Sequence, residues 1–277
     1  LAVERDYHDL AAIIEEEESR RTASARPSAP PPAEAAAEST ARAAIAKGDA
    51  AWLRARHAEG LLGNGDGLVS HAVAADRPDM LALLLDLGLD PDESGRVGGL
   101  EEVVPTWGEP LRECAIAASV VMAEMLLAHG ANPNTNVYAA TSAMYEAYKR
   151  HDQSMMALLE RHGGWLSAVA VAELGLVEDA ARLLAEEAEG RTPAGIAGSN
   201  SSVAQDLLWG AIESPSPEIV ALALGATDWP PGDPRWHGIL ENALYLGPDS
   251  DRARHLDAFR LVLDRCDPDV RSRRGTT

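Results

Sequence analysis

One stretch of the sequence, residues 109–136, limits the possible folds more than any other. It reads EPLRECAIAASVVMAEMLLAHGANPNTN, and its apolar spacing predicts a short helix, a two-residue break and a second helix that ends at Gly130. The predicted apolar stripes are Leu111, Ala115 and Ala118 on the first helix, and Val121, Met125 and Ala128 on the second. Because one such pair of helices cannot bury both stripes alone, the pattern predicts a stack of similar pairs.

Two motifs within this stretch resemble those of the ankyrin repeat family. Glu109-Pro110-Leu111-Arg112 stands where the family has Thr-Pro-Leu-His, and residues 125–134, MLLAHGANPN, follow the family's Leu-Leu-Leu-x-x-Gly-Ala-Asp-x-Asn. The resemblance implies an all-α, ankyrin-like helical solenoid of about seven to eight degenerate helix-turn-helix repeats. It also implies a concave surface that binds another protein.

Breaks between paired helices recur along the chain at matching positions. The predicted breaks are Asp6, Gly48, Asp76, Ala118, His151, Gly175, Pro215 and Gly247. Their mean spacing is about 34 residues, close to the ~33 residues of an ankyrin repeat. The individual steps are unequal, which indicates insertions at residues 92–105 and 189–202 and a short unit at residues 168–187.

Composition and repeat matching divide the chain into four segments. Residues 1–18 match the interior of a repeat, 19–40 form a Pro/Ala-rich linker, 41–273 form the repeat array, and 274–277 begin a further repeat. The linker acts either as a spacer or, through its proline cluster, as a docking motif. Because both ends resemble repeat interiors, we expect an interior piece of a longer array that self-associates through uncapped ends.

The charge balance favours a basic protein partner. The chain has 44 acidic and 24 basic residues and a formal net charge of -20, which argues against binding to nucleic acid or to an anionic membrane surface. Lys47 and Lys149 are the only lysines, and the frequent Ala and Gly add to a composition typical of a bacterial source. The sequence shows no signal peptide and no long apolar run, so we expect a cytoplasmic protein. In that compartment Cys114, at a core position, and Cys266 are expected as free thiols.

None of the motifs that carry enzyme chemistry fits this sequence well. Residues 64–67, NGDG, begin like a calcium loop but lack the acidic residue at the twelfth position, so a hairpin tip explains them better. The pairs His8-Asp9 and His151-Asp152 lack further ligands at the spacing of a metal site. We therefore predict no catalytic residue, no metal ligand and no cofactor.

By the resemblance, the binding surface comprises the exposed sides of the first helices and the loop tips. The predicted binding residues are Trp107, Arg112, Glu113, Tyr138, Tyr145, Glu146, Lys149, Arg150, Trp209 and Glu213. Trp, Tyr and Arg are residue types that dominate interface energetics. For Trp209 and Tyr148, however, a space-filling role in irregular repeats is an open alternative.

These features predict a protein-binding scaffold that uses the concave face of the array, with a basic partner. The alternative from a different class is an enzyme, or a segment of one, whose acidic groove binds a small cationic or polar substrate. A purely structural spacer array is the third possibility.

Overall fold

The computed structural model of the protein describes residues 32–63, 66–93, 108–135, 142–193, 201–243 and 251–271, with side chains from residue 40 onward. Within these ranges the regular secondary structure is entirely α-helical. The helices are α1 (Pro32–Lys47), α2 (Ala50–Ala58), α3 (Leu68–Ala74), α4 (Pro78–Asp86), α5 (Glu109–Ile116), α6 (Val120–Ala128), α7 (Ala143–Lys149), α8 (Gln153–Arg161), α9 (Ala168–Glu173), α10 (Val177–Ala188), α11 (Val203–Glu213), α12 (Pro217–Gly225), α13 (Arg235–Ala243) and α14 (Arg252–Leu263). No helix in the described ranges combines the length and the apolar character that crossing a membrane requires.

The described helices form successive pairs. In each pair an odd-numbered first helix contacts the even-numbered second helix that follows it. First helices stack on first helices from α1 to α7 and again from α9 to α13, and second helices stack from α4 to α8 and from α10 to α14. The predicted all-α solenoid of stacked helix pairs is therefore confirmed.

At most of the predicted breaks, the residue between the two helices of a pair has a left-handed backbone conformation. The backbone has positive φ at Gly48 (76°), Asp76 (48°), Ala118 (54°), His151 (56°) and Gly175 (68°). At each of these breaks, the N–H of the next residue donates to the carbonyl five residues before it, as in a Schellman motif. These break positions are confirmed, whereas those at positions 6 and 247 lie outside the described residues.

Loop tips join neighbouring repeats through hydrogen bonds between side chains and backbone. Asn134 Nδ2 donates to the carbonyl oxygen of Gly163 (2.9 Å), and its Oδ1 accepts the N–H of Trp165 (3.0 Å). One repeat earlier, the carboxylate of Asp92 accepts the N–H of Asn132 (2.8 Å). The Asn-Pro-Asn segment thus ties the α5–α6 pair to the pairs before and after it.

The apolar stripe predicted for the second helix of residues 109–136 is wrong at two of its three positions, because only Met125 packs against the core. Val121 is 65% exposed and Ala128 is also exposed, and the side chains of α6 that are buried are Met122, Ala123, Leu126 and Leu127. Because α6 is apolar on nearly all sides, the spacing of its apolar residues does not indicate which face is buried. The contacts with α4 and α8 determine the buried face. Ala118 is likewise exposed, because it is the break residue itself.

The first described helix begins earlier than the sequence predicts. Helix α1 begins at Pro32, so residues 32–40 of the predicted linker are helical. Proline is favoured in the first helical turn, where its missing N–H has no partner to lose. The rest of the predicted linker and both predicted terminal segments, 1–18 and 274–277, lie outside the described residues.

The apolar core of the described residues forms two clusters rather than one. The first runs from Ala41 to Leu159 and the second from Ala168 to Val270, and Leu166 packs against both. Within the second cluster, α9 and α11 approach closely because Gly210 has no side chain. A Cβ atom at Gly210 would lie 2.4 Å from the carbonyl oxygen of Val169.

Candidate functional site

Three consecutive first helices, α7, α9 and α11, begin with the same serine N-cap. Ser142, Ser167 and Ser202 precede α7, α9 and α11, and each hydroxyl oxygen accepts the N–H of the residue three positions later at 3.1 to 3.2 Å. This N-cap satisfies a backbone donor that the helix leaves free and fixes the point at which the helix starts. The exposed sides of α5, α7, α9 and α11 then carry a surface that we term the first-helix face: Arg112, Glu113, Tyr145, Lys149, Glu173, Trp209 and Glu213.

An acidic cluster lies across α7, α9 and α11. The Tyr145 hydroxyl and the Glu173 carboxylate are close enough to influence each other's pKa, and Glu213 is close enough to act electrostatically on both groups. Burial raises the pKa of Glu173, and the Glu213 charge raises it further. The pKa of Tyr145 is also raised, first by burial and then by the charges of Glu173 and Glu146. Helices α9 and α11 therefore hold the carboxylates of Glu173 and Glu213 close together beside Tyr145, although the two charges repel each other.

Glu146 lies in a different environment from the one predicted. We expected it on the exposed side of the first helix, but it is only 6% exposed. Its carboxylate accepts a hydrogen bond from Arg112 (2.9 Å) and a close one from Arg150. Two flanking arginines can stabilise a buried carboxylate because they offset the cost of its desolvation. Glu146 thus links α5 to α7 and holds both arginines in place.

Arg112 sits among three carboxylates. Besides Glu146, it lies 3.8 Å from both Glu109 and Glu113. Burial raises the pKa of Glu109, while the Arg112 charge lowers it and the neighbouring Glu113 carboxylate raises it again. The Nε of Arg112 is buried without a hydrogen-bond partner among the described residues.

Trp209 is partly open to solvent at the other end of the face. It is 42% exposed, and its ring passes close to Gly238 of α13, where a Cβ atom would lie 3.5 Å away. The backbone carbonyl of Trp209 accepts a hydrogen bond from Asn242 (3.2 Å). The ring therefore packs partly on α13 and leaves the remainder free for contact. Lys149, at the end of α7, is exposed.

The structure brings most of the predicted binding residues onto α5, α7 and α11. Trp107 and Tyr138 lie outside the described residues. Glu173 is not among the predicted binding residues, because the sequence predicts a short unit at residues 168–187. The sequence did contain a signal for it: Lys149, Glu173 and Glu213 each stand two residues before a predicted break.

The thiols and possible metal ligands add no chemistry to this surface. Cys114 and Cys266 are buried free thiols, and burial raises the pKa of Cys114 to about 12. A thiol with so high a pKa is a poor nucleophile near neutral pH. Among the described residues, no three His, Cys, Asp or Glu side chains are grouped so as to hold a metal ion.

Comparison with known proteins gives a structural similarity only. No family model matches the sequence, and no curated protein matches it. Among solved structures, the crystal structure of the human ASB11 ankyrin repeat domain is similar, with 16% sequence identity and a TM-score of 0.40 over 83% of this chain and 99% of that chain. The paired helices, their left-handed breaks and their linked loop tips describe this chain as an ankyrin-like helical solenoid.

Proposed function

We propose that the chain is a protein-binding scaffold whose first-helix face holds a basic segment of a partner protein. The observation that carries this proposal is the cluster of Tyr145, Glu173 and Glu213. Among the described residues, neither glutamate has an ion-pair partner within 4.0 Å, whereas Glu146 of the neighbouring helix α7 is paired with two arginines. The two carboxylates therefore repel each other in the free protein.

A lysine or arginine of a partner would relieve this repulsion. The electrostatic gain is larger than at an open surface, because Glu173 is already partly removed from water and the effective dielectric constant there is lower. Trp209 and Tyr145 flank the carboxylates with apolar surface, and the aliphatic stem of a long basic side chain can pack on such rings. A basic segment therefore satisfies both the charge and the apolar requirements of this surface.

Affinity capture from an extract of the source cells tests the proposal. The bait is the wild-type chain, and the test variant carries Glu173→Gln together with Glu213→Gln. The matched control carries Glu124→Gln and Asp257→Asn, which remove two negative charges from exposed positions on second helices.

We expect a partner that is retained by the wild type and the control and lost by the test variant. Circular dichroism would establish that all three proteins keep the same helix content. If the test variant retains the same proteins as the wild type, the acidic cluster is not the binding surface. If the control also loses them, only the overall charge of the chain matters, and the proposal is wrong.

A further inference from the structure

A cavity of about 220 Å³ lies where the two apolar clusters meet. Its apolar lining includes Met144 of α7, Val171 of α9 and Leu183 of α10, all of them buried, together with Leu166, which packs against both clusters. Elsewhere in the described stack, successive pairs share a single cluster. The cavity thus occupies the place where continuous packing would otherwise be expected.

The charges in the cavity lining are mostly negative. Asp179 and Glu186 of α10 and Glu160 of α8 contribute three carboxylates, and Arg182 is the lining cation. Arg182 is engaged by its own helix, at 2.6 Å from Asp179 and 3.4 Å from Glu186. Glu160, by contrast, has no ion-pair partner within 4.0 Å among the described residues. Glu186 also lies 3.8 Å from Arg191, which is outside the lining. Two arginines against three carboxylates leave an excess of one negative charge, and Glu160 is the unpaired carboxylate in the part of the chain that the structure describes.

Two of these carboxylates act on a tyrosine of the lining. Tyr148 lines the cavity, and its pKa is raised by burial and then by the charges of Asp179 and Glu160, while the Arg182 charge lowers it. Those two carboxylates come from opposite sides of the junction, one from α10 and one from α8. A positive group placed between them would interact favourably with both.

We propose that this junction cavity binds a small organic cation with an apolar body, such as an arylalkyl amine. The apolar part would contact Met144, Val171 and Leu183, and the protonated nitrogen would lie at the carboxylates. A cavity of this volume is too small for a drug-sized ligand, because pockets for those measure roughly 300–1,000 Å³. Tyr148 and Trp165 in the lining add aromatic surface, which favours organic cations. The site is separate from Glu173 and Glu213 and does not depend on the proposed partner.

Three ligands that share a phenyl group and differ in charge test the proposal. They are phenethylamine (positive), 2-phenylethanol (neutral) and phenylacetate (negative). Binding would be measured by isothermal titration and by the NMR shift of the Met144 methyl group. We expect phenethylamine to bind with a Kd on the order of 1 mM, a value within the range for so small a ligand. The neutral alcohol should bind about tenfold more weakly, and phenylacetate should not bind.

Two variants locate the site and separate its charge from its volume. Glu160→Gln changes an exposed residue and should weaken phenethylamine binding about threefold without changing the binding of the alcohol. Leu183→Phe should fill the cavity and abolish binding of both. The control, Asp257→Asn on α14, removes one negative charge far along the chain and should leave all affinities unchanged.

The proposal is overturned if the alcohol binds as tightly as the amine, because the carboxylates then contribute nothing. It is equally overturned if phenethylamine does not bind, or if it binds without shifting the Met144 methyl resonance. Should Leu183→Phe fail to fold, Glu160→Gln still decides the outcome, because an unchanged amine affinity would exclude the site. Loss of partner capture in the Glu173→Gln and Glu213→Gln variant has no bearing on this result.

Discussion

Replacing Gly210 with alanine tests the packing that sets the geometry of the first-helix face. The new Cβ atom would lie 2.4 Å from the carbonyl oxygen of Val169 and 3.0 Å from Cβ of Ala172. A C···O contact needs about 3.3 Å, so α9 and α11 must separate by ~1 Å or distort. Overpacking of this kind costs roughly 1–3 kcal/mol, against about 1 kcal/mol gained in helix propensity. We expect a net loss of up to about 2 kcal/mol in the free energy of unfolding.

Gly225→Ala is the matched control for this substitution. Gly225 is the last residue of α12, and a Cβ atom there would meet nothing within 4 Å. The same chemical change should therefore be neutral or stabilise the protein by up to about 0.5 kcal/mol. Urea denaturation followed by circular dichroism measures both variants. If Gly210→Ala is as stable as Gly225→Ala, then α9 and α11 are not in the close contact described here.

Three further predictions concern buried or partly buried ionisable groups. Glu146→Gln leaves Arg112 and Arg150 without their shared carboxylate and should cost about 2–3 kcal/mol in urea denaturation. The exposed change Glu124→Gln should cost less than about 0.5 kcal/mol, and equal losses would contradict the burial of Glu146. Because the pKa of Glu173 is raised in the folded state, its charge destabilises the fold above that pKa, and the effect disappears as the pH falls below the unfolded value. Glu173→Gln should therefore raise the melting temperature at pH 7 and have progressively less effect towards pH ~4; a gain that persists at low pH would point to another cause. Cys114 should resist a thiol reagent at pH 8 in the native protein and react once urea unfolds it, so rapid native labelling at Cys114 would contradict its buried position.

Local chemistry made much of the fold predictable. The breaks at Gly48, Asp76, Ala118 and His151 follow from short-range patterns, because each helix end needs a left-handed residue and a closing hydrogen bond. The Asn-Pro-Asn loop was identified in the same way. These features depend on a few adjacent residues, so the sequence determines them without reference to the rest of the chain.

Features set by packing between helices were not predictable in the same way. The buried face of α6 could not be chosen from its spacing, because almost every residue of that helix is apolar. The burial of Glu146 depends on Arg112, which comes from α5 and reaches Glu146 only in the fold, whereas Arg150 is an i,i+4 neighbour that the sequence already provides. The junction cavity likewise depends on how α8 and α10 sit across a short α9. Long-range contacts decide all three.

Site-specific photo-crosslinking tests the central claim most directly. A photoreactive phenylalanine derivative would replace Trp209 on the first-helix face in one protein and Val121, which is 65% exposed on α6, in another. Each protein would be irradiated in an extract of the source cells, and crosslinked products would be identified by mass spectrometry. A scaffold that uses the first-helix face should give a crosslinked partner at position 209 and none at position 121, and adding a lysine-rich competitor peptide should reduce that product. Crosslinking at position 121 alone, or at neither position, would contradict the account.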